Sequence, residues 1–72
     1  MNDLQDILIS VGKRIASRRK DLSMTQEDLA VYADVDRTYI GYIENGKQNI
    51  SMSILVKISN ALNVNLGYFF HD

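Results

Sequence analysis

Apolar side chains recur at intervals of three and four residues along almost the whole chain, and this spacing restricts the fold more than any other feature. Such spacing places apolar groups on one face of an α-helix, because a helix completes a turn in about 3.6 residues. A half-buried strand requires strict alternation, and no stretch of useful length alternates. Proline is absent, so no residue of the kind that breaks helices interrupts the pattern. We therefore expect an all-α fold.

The length of 72 residues is enough for one small domain, expected over residues 1–72 with no linker and no internal repeat. A chain of this size hides only roughly 60% of its unfolded surface, so its stability is marginal. The hydrophobic fraction of 46% suffices for a core and leaves apolar surface for a partner.

The sequence also limits where the protein works and what holds it together. It has no cysteine, which excludes a disulfide framework and a thiolate zinc site. Its first residues are not a signal peptide, and no apolar run approaches the ~20 residues needed to cross a bilayer. We therefore expect a cytoplasmic protein.

The periodicity predicts four helices and a short fifth one, over residues 4–21, 25–33, 37–45, 52–62 and 66–70. Each of the first four carries an apolar face. The predicted inward residues are Leu4, Leu8, Val11, Ile15, Leu29, Ala30, Ala33, Ile40, Ile43, Leu55, Ile58, Ala61 and Leu62.

The ends of the helices carry local signals. The segment from Thr25 to Asp28 reads as a capping box, in which each side chain bonds the backbone N–H of the other residue. Asp36 is a suitable N-cap for the third helix, and Gly46 a suitable residue to end it. Asp34 tolerates the left-handed conformation that a tight turn requires.

The second and third helices, with the turn between them, occupy about twenty residues, the size of a helix-turn-helix unit. Ala30 is small where two helices must approach closely. The outer face of the third helix carries hydrogen-bonding groups rather than Glu and Lys: Thr38, Tyr42 and Asn45. The net charge of −1 argues only weakly against nucleic acid, because basic residues cluster between Lys13 and Lys20.

The stretches "MTQEDLA", "VDRTYIGYIENGKQNIS", "ALNV" and "FF" resemble the Cro/C1-type (XRE-like) helix-turn-helix family of phage and bacterial regulators over residues 11–70. Within it, "DRTYI" followed by "NIS" is most similar to the controller proteins of restriction–modification systems. The resemblance implies a five-helix lambda-repressor-like domain. It also implies a transcriptional regulator that binds double-stranded DNA sequence-specifically, as a homodimer on a palindromic operator. A controller would regulate its own promoter, and RNA polymerase is a candidate further partner.

The resemblance also assigns roles to single residues. Base edges would be contacted by Arg37, Thr38 and Tyr42. The DNA backbone would be contacted by Thr25, Gln26, Tyr39, Asn45, Lys47, Gln48 and Asn49. Arg19 and Glu44 would form an internal salt bridge between the first and third helices.

Four positions depart from the controller pattern, and one of them is Asp34, which stands where glycine is usual in the turn. Asn45 and Gln48 stand where many controllers carry cations, so we expect a shallower salt dependence of DNA binding. Gly41 stands where controllers often carry serine, which removes one side chain from the face that meets DNA.

Apolar residues outside the helical core faces predict a dimer surface. Met52 and Val56 lie off the inner face of the fourth helix. The last segment carries more apolar area than a short helix can bury by itself, through Leu66, Tyr68, Phe69 and Phe70. These six residues are the predicted dimer interface.

Other interpretations remain open for several residues. Arg37 could be an ordinary solvated arginine, Gln26 a plain helix former, and Tyr39 a half-buried core ring with its hydroxyl in water. The same bundle could instead serve as a protein-binding module, an antitoxin or scaffold that grips its partner with Tyr39, Tyr42 and the apolar C-terminal segment.

An enzyme is not expected. The chain has no paired histidines, no glycine-rich phosphate loop and no nucleophile beside a candidate base, and its one histidine, His71, stands near the end. We also expect no metal, cofactor or small-molecule ligand.

Overall fold

The computed structural model describes residues 3–70, so His71 lies outside the described part. Within residues 3–70 it has four α-helices: α1 (Leu4–Asp21), α2 (Gln26–Ala33), α3 (Arg37–Glu44) and α4 (Met52–Ala61). These are followed by a 3-10 helix (Leu66–Phe70). The prediction of an all-helical chain is confirmed. None of these helices is long and apolar enough to cross a membrane.

The predicted fifth α-helix is a 3-10 helix instead. Its backbone N–H of Tyr68 donates to the carbonyl of Asn65, three residues earlier, over 2.9 Å. Five residues are too few for a stable set of bonds between residues four apart, so the tighter helix is favoured. The expectation of five α-helices is therefore wrong in its last element.

The helices begin where the capping residues predict. The Thr25 hydroxyl accepts from the N–H of Asp28 over 3.0 Å, and the Asp28 carboxylate accepts from the N–H of Thr25 over 2.9 Å. Asp36 accepts from the N–H of Thr38 over 2.8 Å. The capping box and this N-cap are confirmed, and α2 begins one residue after Thr25 because Thr25 is itself the cap.

Left-handed residues follow α1 to α4, and they let the chain reverse within two or three residues. They are Ser23, Asp34, Gly46 and Asn63, with φ between +55° and +69°. After α3, the N–H of Gly46 donates to the Ile43 carbonyl and that of Lys47 to the Tyr42 carbonyl, which together form a Schellman motif. The predictions for Asp34 and Gly46 are confirmed.

The core lies between α1, α3, α4 and the 3-10 helix, with α2 packed on α3 and α4. Its buried apolar side chains are Val11, Ile15, Leu29, Ala30, Ala33, Ile40, Ile43, Leu55, Ile58, Leu62 and Phe69. Leu4, predicted to face inward, is 60% exposed. The reason is length, since the 18 residues of α1 span about 27 Å, far more than α2 or α3, and its first turn extends past the core.

Candidate nucleic-acid interface

The outer face of α3 is the candidate recognition surface. Ile40 and Ile43 anchor the opposite face in the core. This packing fixes the rotation of the helix, and it leaves Arg37, Thr38 and Tyr42 exposed. The three residues predicted to contact bases thus share the solvent side of one short helix.

Gly41 lies in the middle of this face and leaves a gap in it. A Cβ atom built there would lie 3.6 Å from Nη1 of Arg37 and 4.0 Å from Oε1 of Gln26. The guanidinium of Arg37, from α3, and the amide of Gln26, from the start of α2, therefore converge above Gly41.

A buried ion pair joins α1 to α3 behind the recognition face. Arg19 Nε donates to Oε2 of Glu44 over 2.7 Å, and Nη2 donates to Oε1 over 3.1 Å. The two side chains are only 10% and 5% exposed. Arg19 Nη1 also donates to the carbonyl of Met24 over 2.7 Å. The carboxylate of Glu44 is thus neutralised from inside, so it does not place a free negative charge on the face of α3.

Gln26 takes part in the same network. Its Nε2 donates to Oε1 of Glu44 over 3.0 Å, and the side chain is half-buried. The sequence predicted a contact between Gln26 and the DNA backbone, but it did not predict this bond to Glu44. No local sequence pattern indicates this bond, because the two residues are 18 positions apart.

The start of α2 carries a capping side chain that is already hydrogen-bonded, together with backbone N–H groups that have no acceptor within the helix. The side chain of Thr25 already accepts from Asp28, so its first role is capping. The first backbone N–H groups of any α-helix have no acceptor inside the helix. They favour an anion there, and they need no cationic side chain to do so.

The loop that follows α3 is held at two points. The Tyr39 hydroxyl donates to the carbonyl of Asn49 over 2.9 Å, and Gln5 Nε2 donates to the carbonyl of Gly46 over 3.0 Å. The ring of Tyr39 is half-buried against the core, which agrees with its alternative interpretation. Gln5 was not singled out from the sequence, since its partner lies 41 residues away. Between these points Lys47 and its neighbours are exposed.

The predicted dimer residues divide into three groups. Met52, Val56 and Phe70 are exposed apolar side chains. Leu66 and Tyr68 are half-buried and pack on the core. Phe69 is 1% exposed and belongs to the core, so its assignment to the dimer interface is wrong.

The geometry of the 3-10 helix explains this burial of Phe69. In such a helix, side chains three positions apart lie on the same side, so Leu66 and Phe69 turn inward together while Phe70 turns outward. The ring of Phe69 packs edge-on against Tyr68, with ring centroids 5.5 Å apart.

Comparisons with known proteins agree on the family and on the fold. A family model described as "Helix-turn-helix" matches residues 15–69. The control protein C.MunI of Mycoplasma sp is 41% identical over 70 residues, which cover 96% of this chain and 95% of that protein.

Two solved structures are similar in both sequence and fold. The restriction-modification controller protein C.AhdI from Aeromonas hydrophila has a TM-score of 0.86 and 32% identity, over 88% of this chain and 96% of that one. The controller protein C.Esp1396I, solved as a tetramer in complex with its natural 35 base-pair operator, has a TM-score of 0.81 and 39% identity, over 89% of this chain and 84% of that one. The chain therefore belongs to the helix-turn-helix family, and within that family it is similar to the controller proteins of restriction–modification systems.

Proposed function

We propose that this protein is a transcriptional regulator of the controller type, which binds double-stranded DNA sequence-specifically as a homodimer on a palindromic operator. The observation that carries the proposal is the solvent face of α3, where Arg37, Thr38 and Tyr42 stand exposed while the acid of the helix is paired internally. The similar controller C.Esp1396I in complex with its operator supports it.

The dimensions and chemistry of α3 suit the major groove. An α-helix with its side chains is about 10–12 Å in diameter, and the groove is about 12 Å wide. Arg37, at the first position of the helix, can donate two hydrogen bonds to O6 and N7 of a guanine. Thr38 offers a methyl group to thymine or a hydroxyl to another base edge, and Tyr42 lies one turn after it.

The DNA backbone would be held mainly by neutral donors. The amides at the start of α2 and the side chains of Gln26, Asn45, Gln48 and Asn49 supply the donors, and Lys47 alone in this set carries a charge. Tyr39 acts through the loop, because its O–H is already donated to the carbonyl of Asn49. Each phosphate neutralised by a cation contributes roughly −0.9 to the slope of log K against log salt. We therefore propose a shallow salt dependence, which reconciles DNA binding with a net charge of −1.

Selection of bound duplexes from a random pool at physiological salt tests the proposal. We expect a two-fold symmetric site, with half-sites one helical turn or about 34 Å apart. Arg37→Ala should weaken binding to that site by about 1–3 kcal/mol per half-site and relax the preference at one base pair. Lys13→Ala, which removes the same charge from the outer face of α1, is the matched control and should keep the preference.

No enrichment by the wild-type protein would contradict the proposal. It would direct attention to the protein-binding module, for which a partner of α3 should be sought. That alternative is not favoured, because controller proteins and transcription regulators dominate the similar proteins.

Two copies are proposed because one domain offers too few contacts for tight and specific binding. Met52, Val56 and Phe70 are exposed, and their burial between subunits would also stabilise a marginal fold by mass action. We propose that the dimer regulates its own promoter by occupancy, with RNA polymerase as the partner affected.

Phe70→Asp is expected to convert the dimer into a monomer at micromolar concentration, because a carboxylate would be buried without a partner. Sedimentation velocity measures the change. Val31→Asp is the matched control, since Val31 is also apolar and 77% exposed but lies on α2, outside the proposed interface. An unchanged dimer in Phe70→Asp would remove Phe70 from the interface.

A further inference from the structure

The peptide group between Gly46 and Lys47 is held at both of its polar atoms. Its N–H, which belongs to Lys47, donates to the carbonyl of Tyr42 over 3.0 Å. Its carbonyl, which belongs to Gly46, accepts from Nε2 of Gln5 over 3.0 Å. Because a peptide group is planar, hydrogen bonds on its two opposite edges fix its orientation. The Cα atom of Lys47 lies in the same plane, so the point from which this side chain leaves the loop is fixed as well.

The first turns of α1 provide one half of this hold. Gln5 and Ile9 are four positions apart and therefore lie on the same face of the helix. A Cβ atom at Gly46 would lie 2.8 Å from Cγ1 and 2.9 Å from Cα of Ile9, so the loop backbone runs directly against α1. Both residues of α1 precede residues 15–69, the segment that the family model matches, so the match does not imply this contact.

Lys47 is the residue for which the orientation of the loop matters most. Its side chain is exposed, and it is the one cation among the residues proposed to contact the DNA backbone. A loop that becomes ordered only on binding lowers the affinity, whereas a loop that is ordered beforehand avoids this loss. The hydrogen bond from Gln5 supplies such order before DNA is present.

We propose that Gln5 is a positioning residue for Lys47: its amide fixes the peptide group that precedes Lys47, and thereby places the ammonium group to meet a DNA phosphate. The inference rests on the proposed function. Gln5 then acts on DNA binding from α1, without touching DNA. It raises the affinity for every sequence alike, because a contact to phosphate carries no sequence information of its own.

Gln5→Met tests the inference, because methionine is unbranched and favours helices as glutamine does, but has no N–H to donate. We expect the affinity for the duplex selected from the random pool and for a scrambled one to fall alike. The fall should be roughly two- to tenfold per half-site, the cost of ordering a loop on binding. It should disappear in a Lys47→Ala background. Ser17→Met, which changes an exposed residue of α1 about three turns away, is the matched control and should bind as the wild type does.

Amide hydrogen exchange followed by NMR gives a second readout, which needs no DNA. In Gln5→Met the N–H of Lys47 should exchange faster, because the peptide group is then held at one atom only. The N–H of Leu55, which donates to the carbonyl of Ser51 in α4, should keep its rate. Faster exchange at both positions would indicate a general loss of stability and would contradict a role in positioning the loop.

Three results of the binding experiment would overturn the inference. Unchanged DNA affinity of Gln5→Met, with a lower melting temperature, would make Gln5 a purely structural residue. A loss of affinity that persists in full beside Lys47→Ala would mean that Gln5 contacts DNA itself. If the wild type binds no duplex, the proposed function and the inference fall together, whereas equal binding by the wild type and Gln5→Met removes the inference alone.

Discussion

Gly12→Ala should destabilise the protein by about 1–3 kcal/mol or more, although it adds a single methyl group. Gly12 lies in the middle of α1, where that helix crosses the end of α3. A Cβ atom there would overlap the carbonyl oxygen of Ile43 and lie 2.7 Å from that of Glu44. These are backbone atoms, which cannot rotate away, so α1 and α3 must separate. Since a domain of this size has a total stability of only roughly 4–10 kcal/mol, the loss is severe.

Urea unfolding followed by circular dichroism measures this loss. Gly41→Ala is the matched control, because a Cβ at Gly41 meets nothing closer than 3.6 Å and its φ is not left-handed. Removing glycine from the interior of a helix should raise stability by roughly 0.5–1 kcal/mol. The same substitution in two helices of one protein is thus expected to act in opposite directions. Equal midpoints for Gly12→Ala and the wild type would show that α1 and α3 are not in backbone contact.

The beginnings and ends of the helices could be predicted because their causes are local. Thr25 and Asp28 cap α2 through bonds that span three residues, and Asp36 caps α3 through a bond that spans two. Asp34 reverses the chain by its own backbone conformation. The solvent face of α3 could be predicted for a similar reason, since the spacing of Ile40 and Ile43 settles which side is buried.

The predictions that failed concern residues whose burial depends on distant parts of the chain. Leu4 has the correct spacing for the core of α1, but spacing does not reveal where the neighbouring helices end. Phe69 was assigned to the dimer because its segment carries more apolar area than a short helix can bury by itself, whereas the 3-10 helix turns this residue into the core. The sequence did not predict that position 12 requires glycine, because this requirement comes from the backbone of α3, more than thirty residues later.

The polar contacts behind the site also could not be predicted from the local sequence. The bond from Gln26 to Glu44 and the bond from Gln5 to Gly46 join residues 18 and 41 positions apart. Nothing in the local sequence distinguishes these glutamines from solvated ones. The pair of Arg19 and Glu44 was expected only because the family resemblance implied it, and the spacing of 25 residues would not have indicated it.

Arg19→Met is expected to cost about 3–5 kcal/mol, the largest effect of any single substitution considered for this chain. It keeps most of the side-chain volume but leaves the carboxylate of Glu44, 5% exposed, without its cation. It also removes the donor to the carbonyl of Met24. Thermal and urea unfolding should show a protein that is largely unfolded at 37 °C.

The double variant Arg19→Met with Glu44→Leu separates stability from recognition. Replacing both ions of a buried pair with apolar side chains is often neutral or better, so much of the lost stability should return. The Gln26 amide, however, then has no carboxylate to orient it. The double variant should nevertheless fold and bind the selected duplex, because the replaced side chains are almost fully buried behind the face of α3. Equal instability of the single and double variants would instead mean that the pair contributes shape and packing rather than the balance of two buried charges.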